Sequence, residues 1–290
     1  VARAGINFAD THTRENSYLA EQQLPLTPGS EVAGTVERSS EGFERGQRVA
    51  SLVSGGGYAE FALAPAASTF PIPDGVEDGA ALALLLQGLT AWHLLRTSAK
   101  LAKGETVVIH AAGGGVGSLA VQLAKRFGAG RVIASASTEE KRSLAEELGA
   151  DVAVDAKAED LNAALREANG GEKVDVVLEM AGGSVFEHSL KALAPFGRLV
   201  TYGMAGREQV QVSNARLMRT STAVVGFWLA HCFAHREMME PPLRELFGLV
   251  AAGELRTIVG ETYPLSEVGR AHEDIQGRGT SGKLLLDPAA

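Results

Sequence analysis

Cysteine is nearly absent: Cys232 is the only one in 290 residues. No intrachain disulfide can form, and a cysteine-built structural zinc site is excluded. One thiol fits a reducing, cytoplasmic setting. There is no apolar run long enough to span a bilayer and no signal-peptide pattern. Positive charge is also in deficit. Lys and Arg number 27 against 35 Asp and Glu, a net charge of −8. That excludes nucleic acid and anionic membrane as expected primary partners. What remains is an ordinary globular balance, 45% apolar and 21% charged, enough for one large domain or two.

The chain is organised around Val107 to Lys125. Val107, Val108 and Ile109 are a short apolar run that reads as a buried parallel strand. Glycines between Gly113 and Gly117 break it, and Ser118 to Lys125 resumes with helical spacing. A glycine turn from strand into helix aims backbone N–H groups at one spot, at the positive end of the helix dipole. That is an anion site suited to a pyrophosphate. The fingerprint reads Ala112-x-Gly114-x-x-Gly117, with Gly115 and Val116 inside the turn. Gly114 lets the backbone approach phosphates, and Gly117 lets the helix pack close to the strand. An ordinary glycine turn is the competing reading. The strand–turn–helix context and a second βαβ signal weigh against it.

That second signal is Arg131 to Ala150, with a strand at Val132 to Ala134 and a helix from Lys141 to Leu148. An NAD site carries Asp or Glu at the end of this strand, where it accepts from the ribose 2′-OH. The corresponding residue is Ala136, within Ser135-Ala136-Ser137-Thr138. Small hydroxylic residues followed by Lys141 and Arg142 suit a 2′-phosphate, which needs donors and positive charge. NADPH is therefore expected over NADH, with Lys141 and Arg142 as mere solvated charges the alternative.

Strands alternating with helices are expected at Thr106 to Ile109, Arg131 to Ala134, Asp151 to Val154, Val174 to Glu179, Gly197 to Tyr202 and Val224 to Phe227. The fold class is α/β, a Rossmann-type doubly wound parallel sheet with its ligand at the carboxyl ends of the strands. Before it, short strands between glycine turns (Glu31 to Val36, Arg48 to Val53, Tyr58 to Leu63) suggest a small irregular barrel or sandwich. Helices are expected from Asp78 toward Leu86 and from Leu89 to Leu95. After it come a helix at Met238 to Leu249, a strand at Ile258 to Tyr263, a helix capped by Ser266 and a final strand at Lys283 to Leu286. These last pieces are assigned back to the first domain.

Four stretches occur in a telling order: Gly29-Ser30-Glu31-Val32-Ala33-Gly34-Thr35-Val36, His110 to Lys125, Met180-Ala181-Gly182-Gly183, and Tyr263-Pro264-Leu265 with Gly282-Lys283. As a set they resemble the medium-chain dehydrogenases/reductases, in the zinc-independent quinone oxidoreductase branch of zeta-crystallin type. The resemblance covers essentially the whole chain. It implies a GroES-like irregular β-barrel catalytic domain at 1–90 and 230–290, with an N-terminus expected to be incomplete, and a Rossmann NADPH-binding domain at 91–229. It also implies a homodimer paired through the strand near Val224.

Zinc relatives in that superfamily use three ligand positions that match Asn7, Ser30 and, approximately, Leu86 here. None is a good zinc ligand, and Leu86 cannot bind metal at all. No metal is expected. His231, Cys232 and His235 form a local cluster best read as coincidental. The resemblance places the loop of Asn7, Asp10 and His12 beside the nicotinamide, Asn7 as a donor and Asp10 as the residue orienting the loop. His12 stands where relatives often have Tyr, and is equally readable as a loop histidine. Tyr18 and Tyr58 are candidate pocket walls. Thr90, with Gln87 near it, is assigned to the cofactor phosphates. Backbone near Gly203 and from Phe227 to Leu229 is assigned to the carboxamide, and Lys283 to the pyrophosphate. His110 is expected to be structural, and Ala156 lacks the ring that relatives often place near the adenine. The implied activity is zinc-free hydride transfer from NADPH to a quinone or conjugated enone. An enoyl-thioester reductase and a non-catalytic NADPH-binding protein stand as alternatives.

Overall fold

The structure, a computed structural model, describes every residue except 18, 22 and 41. Along the chain run β1 (Arg3–Ile6), α1 (Phe8–Arg14), β2 (Glu31–Thr35), β3 (Arg48–Leu52), β4 (Thr69–Pro71), α2 (Asp78–Leu82) and α3 (Leu89–His93). Then follow β5 (Thr106–His110), α4 (Gly115–Arg126), β6 (Arg131–Ala136), α5 (Glu139–Glu147), β7 (Val152–Asp155), α6 (Leu161–Ala168), β8 (Val174–Glu179), α7 (Gly183–Ala192), β9 (Leu193–Thr201), α8 (Asn214–Thr220) and β10 (Ala223–Gly226). The last part holds α9 (Arg236–Ala251), β11 (Val259–Pro264), α10 (Val268–Gln276) and β12 (Lys283–Asp287). The chain divides into two compact units, Val1–Leu89 with Leu229–Ala290, and Thr90–Trp228.

In the second unit the strands lie in the order β10-β9-β8-β5-β6-β7 and every pairing is parallel. Strand order reverses between β5 and β8, the switch point at which ligands bind in such sheets. The two strands there have apolar centres because both faces are covered. Val107, Val108 and Ile109 of β5 and Val176, Val177 and Leu178 of β8 have no exposed surface. α4 buries Leu119, Ala120, Val121, Leu123 and Ala124, which fixes its first turn over the end of β5. β9 starts four residues before the expected Gly197. Phe196 sits inside it with φ +68° and an exposed ring, so this bent strand does not show a regular alternation.

The sheet of the first unit runs β11-β12-β1-β2-β3-β4, so the two ends of the chain meet side by side. β12 lies antiparallel to β1, with Ala4 opposite Leu286. Ile6, Leu284, Leu286, Tyr263 and Ala271 close its core. Tyr58 to Leu63 is not a strand. After the Gly55-Gly56-Gly57 turn the segment only bends, with Phe61 and Leu63 turned to solvent. β3 instead lies between β2 and β4. The two helices expected from Asp78 to Leu95 form one continuous helical run over 78–98, with wider, π-type turns at Ala83–Gly88 and Leu94–Ser98. Leu82, Leu84, Leu85, Leu89, Leu94 and Leu95 are all fully buried, so apolar residues surround the run and its periodicity shows no break. Ser266 lies within a 3-10 turn, Leu265–Glu267, and the N-cap of α10 is Glu267.

Candidate functional site

The second unit carries a cradle at the end of β5. Ala111 takes φ +51° to leave the strand. Gly114 N–H donates to Ala111 O at 2.8 Å, and Ser118 N–H donates to Gly114 O at 2.9 Å. α4 thus starts with the N–H groups of Gly115, Val116 and Gly117 in its first turn, where a helix has no partners of its own for them. Gly117 is required by contact. A Cβ there would overlap Ala111 O and lie 2.7 Å from Ala112 Cα. Lys141 in α5 runs across Gly113, whose Cβ would stand 2.9 Å from Lys141 Cβ. Partial burial holds the Lys141 ammonium below the usual lysine range.

β6 ends at Ala136, which is buried, and Ser135 beside it is fully buried with its Oγ lacking a hydrogen-bond partner among the described residues. Ser137 follows, half-buried. Arg142 is committed elsewhere, to Ala136 O at 3.3 Å and the Asp155 carboxylate at 3.6 Å. Gly203 follows β9, and Phe227 follows β10, its N–H donating to Thr201 O at 2.9 Å. The Phe227 ring stacks on His93, 5.8 Å between centroids. Thr90 is buried in α3. The fold therefore brings Ala112, Gly114, Gly115, Val116, Gly117, Ser135, Ser137, Gly203 and Phe227 to the carboxyl ends of one sheet.

Glu179 belongs to this edge and escaped the sequence reading. It ends β8, fully buried, and its Oε1 accepts from Ala181 N–H at 2.5 Å and Gly182 N–H at 2.7 Å. Burial raises its carboxyl above the usual range. Its signal was a charged residue closing an apolar strand.

The first unit holds a buried polar cluster. Asn7 caps α1 from an extended conformation, and its N–H donates to Asp10 Oδ2 at 2.8 Å. Asn7 Nδ2 donates to Glu31 Oε1 at 2.6 Å. Lys283 Nζ donates to Glu31 Oε1, to Asn7 Oδ1 at 3.0 Å and to Ile6 O at 3.2 Å. Gln87 Nε2 lies 3.4 Å from Asn7 Oδ1. Asp10 also receives Tyr58 OH on Oδ2 at 3.0 Å and Ser30 Oγ on Oδ1 at 3.4 Å. Burial pushes its carboxyl up to about 6, against the lowering effect of the Asn7 N–H and the Lys283 charge. Burial and the adjacent Asp10 drive the Tyr58 phenol well above its ordinary value. His12 is buried in α1, its Nδ1 3.3 Å from Ser17 Oγ, so it is not an open loop histidine.

Asn7 and Asp10 are thus brought together, with Tyr58 beside them. Lys283 departs from its expected place. Its ammonium has three N–H donors, and all three are directed at acceptors inside the first unit, which makes it an organiser of the Asn7 loop rather than a pyrophosphate ligand. Glu31 and His272, the second a neighbour of Tyr58, were missed. Their signals are a carboxylate opening an apolar strand and a lone histidine in an amphipathic helix. Tyr18 lies outside the described residues. His110 is buried, its Nε2 2.8 Å from Ser189 Oγ, and burial lowers it to about 4. Among the described residues no group of three or more His, Cys, Asp or Glu could hold a metal ion. His235 pairs with Glu237, and Cys232 is buried.

Two family descriptions match the chain: an alcohol dehydrogenase GroES-like domain over residues 1–74, and a zinc-binding dehydrogenase over residues 115–247. A quinone oxidoreductase of Pseudomonas aeruginosa is 35% identical over 289 residues, 98% of this chain and 88% of the relative. A 2-haloacrylate reductase of a Burkholderia species is 34% identical, over 99% and 89% of the two chains. The solved Escherichia coli quinone oxidoreductase complexed with NADPH superimposes with a TM-score of 0.93 at 33% identity, covering 99% of this chain and 90% of that one.

Proposed function

This chain belongs to the quinone oxidoreductases of the medium-chain dehydrogenase/reductase superfamily, and from that premise we propose that it transfers a hydride from NADPH to a quinone or conjugated enone without zinc. The observation that carries this reading is the Ala112–Gly117 cradle with Lys141 lying across it. The cradle offers backbone N–H groups to the pyrophosphate, and Ser135, Ser137 and Lys141 offer donors to a 2′-phosphate. No carboxylate stands at Ala136 to accept from a 2′-OH. The relative solved with NADPH and the haloacrylate reductase support the cofactor and the activated-alkene arm.

Bound NADPH supplies the hydride. The chain's own residues bind, orient and exclude water. A zinc ion has no seat in this reading. Leu86 has no ligating side-chain atom, the Asn7 amide is spent on Glu31 and Lys283, and the Ser30 hydroxyl is on Asp10. Without a Lewis acid, the acceptor must be one that needs little activation. Quinones and enones qualify, since hydride addition leaves a delocalised oxyanion. The second N–H of Asn7 Nδ2, beyond the one on Glu31, is a donor for that oxygen.

β10 is an edge strand of its sheet, with Val224 and Val225 half-buried. Its pairing with β10 of a second copy would cover that edge and form a homodimer. No described helix is long and apolar enough to cross a membrane, and the single buried thiol suits the cytoplasm.

The test is NADPH oxidation by purified protein with chelator present, against a benzoquinone, a naphthoquinone, a simple enone and an enoyl thioester, with NADH as the comparison cofactor. Chelator-insensitive turnover with NADPH and a quinone or enone is expected. Turnover only with added zinc, or NADPH binding with no turnover on any acceptor, overturns the reading.

A further inference from the structure

A line of hydrogen bonds in the first unit is not used by the hydride step. Arg14 NH1, on a side chain that reaches solvent, lies 3.5 Å from His272 Nδ1. His272 Nε2 lies 3.3 Å from Tyr58 OH. Tyr58 OH donates to Asp10 Oδ2 at 3.0 Å, and Asp10 Oδ1 is 3.4 Å from the Ser30 hydroxyl. Chemistry fixes the directions. A guanidinium only donates, so Nδ1 accepts and the neutral ring carries its proton on Nε2. That N–H donates to the tyrosine oxygen, whose O–H donates onward to Asp10. Asp10, Tyr58 and His272 are each 5% exposed or less, whereas Ser30 is half-buried at the far end.

We propose that His272, Tyr58, Asp10 and Ser30 form a proton wire, entered beneath Arg14, that delivers to the reduced acceptor the proton its reduction consumes. The proposal rests on the reductase reading. Hydride addition gives the acceptor two electrons and one hydrogen, and leaves an oxyanion. The Ser30 O–H bond breaks as the new O–H bond on the acceptor forms. Ser30 Oγ takes the proton of a neutral Asp10 carboxyl, and Asp10 takes that of Tyr58. Tyr58 takes the Nε2 proton of His272, and Nδ1, uncovered as the solvent-reaching Arg14 side chain swings aside, takes one from water. One proton enters, one leaves and all electrons come from the cofactor; the wire resets as the His272 ring flips and the Tyr58 hydroxyl and Asp10 carboxyl turn back to their starting positions.

The surroundings suit each member. Asp10 faces Lys283 of β12, Glu31 of β2 and the Asn7 N–H, and burial sets its carboxyl near 6. At neutral pH about a tenth of it is therefore protonated, so it both gives and accepts a proton. Burial and the Arg14 charge hold His272 below the usual histidine range, so its ring stays neutral.

Tyr58→Phe, His272→Gln and Ser30→Ala test the wire, with thermal melts and NADPH titration as checks of folding. The wild-type rate is expected to fall above about pH 6 and to show a solvent deuterium isotope effect with more than one proton in its inventory. Each variant is expected to lose about tenfold or more in kcat, with little change in the KM for NADPH. Tyr58→Phe is expected to lose the multi-proton inventory and to recover rate when imidazole buffer is added. Folded variants that keep the wild-type pH profile and isotope effect, or that slow without buffer rescue, overturn the wire alone. A wild-type enzyme that oxidises no NADPH with any acceptor overturns the reductase reading and the wire with it.

Discussion

Lys283 and Glu31 pair in the interior of the first unit, with neither side chain exposed. Glu31 opens β2 and Lys283 opens β12, strands 252 residues apart in sequence. The pair closes on Asn7, so it holds the β1–α1 turn to both strands. A pair so fully desolvated is costly to break one-sidedly, because the survivor is left charged and buried. Lys283→Met and Glu31→Gln should each cost about 3–5 kcal/mol. The double variant should cost less than the sum of the two. Denaturant midpoints for the four proteins check this, and strict additivity would show that the two side chains do not interact.

Gly117 is fixed by contact with the Ala111 carbonyl, not by backbone angle. Gly117→Ala must push α4 away from β5, at a cost of about 1–3 kcal/mol, and should weaken NADPH at least tenfold as the cradle's N–H groups shift. Gly248 is the control. It is exposed within α9, and a Cβ there meets nothing within 4 Å. Gly248→Ala should add about 0.5–1 kcal/mol of stability and leave NADPH binding as it was. Fluorescence titration of NADPH, with melts, reads both.

His110 and Asp10 pull stability in opposite directions with pH. Burial holds the His110 ring at about 4 against 6.5 when free. Between those values the unfolded chain binds more protons, so the His110 contribution is complete above about pH 6.5 and is lost as pH falls toward 4. Asp10 is raised from 3.8 to about 6, so the native state binds more protons in that window and stability falls as pH rises through it. His110→Gln should shrink the stability gained between pH 5 and pH 7.5 by about 2 kcal/mol. Asp10→Asn should enlarge that gain. Chemical denaturation at the two pH values tests both, and like-signed changes would contradict them.

The second unit was legible because its information is local. The run from Val107 to Lys125 states strand, turn and helix in order, and the same grammar repeats at Arg131 and Val174. The first unit hid its parts for two physical reasons. Phe61 and Leu63 alternate like a strand yet point to solvent, so pattern alone put a strand at Tyr58 to Leu63 where the chain only bends. The polar cluster joins Asn7, Glu31, Tyr58, His272 and Lys283 from five separate stretches of the chain, and no spacing within any one of them announces it. Lys283 was noticed, but its destination depended on β12 pairing with β1, which only the fold supplies.

Ala136 and Lys141 make the cofactor preference testable one residue at a time. Ala136 ends β6 directly opposite Asp155 of β7, and Arg142 already spans the Ala136 carbonyl and that carboxylate. Arg142 is thus partly neutralised, and Lys141, which lies across Gly113, is the cation at the cradle itself. A carboxylate introduced by Ala136→Asp would repel that phosphate and accept from a 2′-OH in its place. The kcat/KM for NADPH should drop at least tenfold while that for NADH rises. Lys141→Ala should lower kcat/KM for NADPH by a similar factor and change NADH little, since a hydroxyl gains little from a nearby ammonium that a phosphate needs. Steady-state kinetics with both cofactors decide the matter. If the NADPH to NADH ratio stays constant in both variants, the discriminating contact lies elsewhere on the sheet edge, with Ser135, whose buried Oγ has no partner among the described residues, the next residue to change.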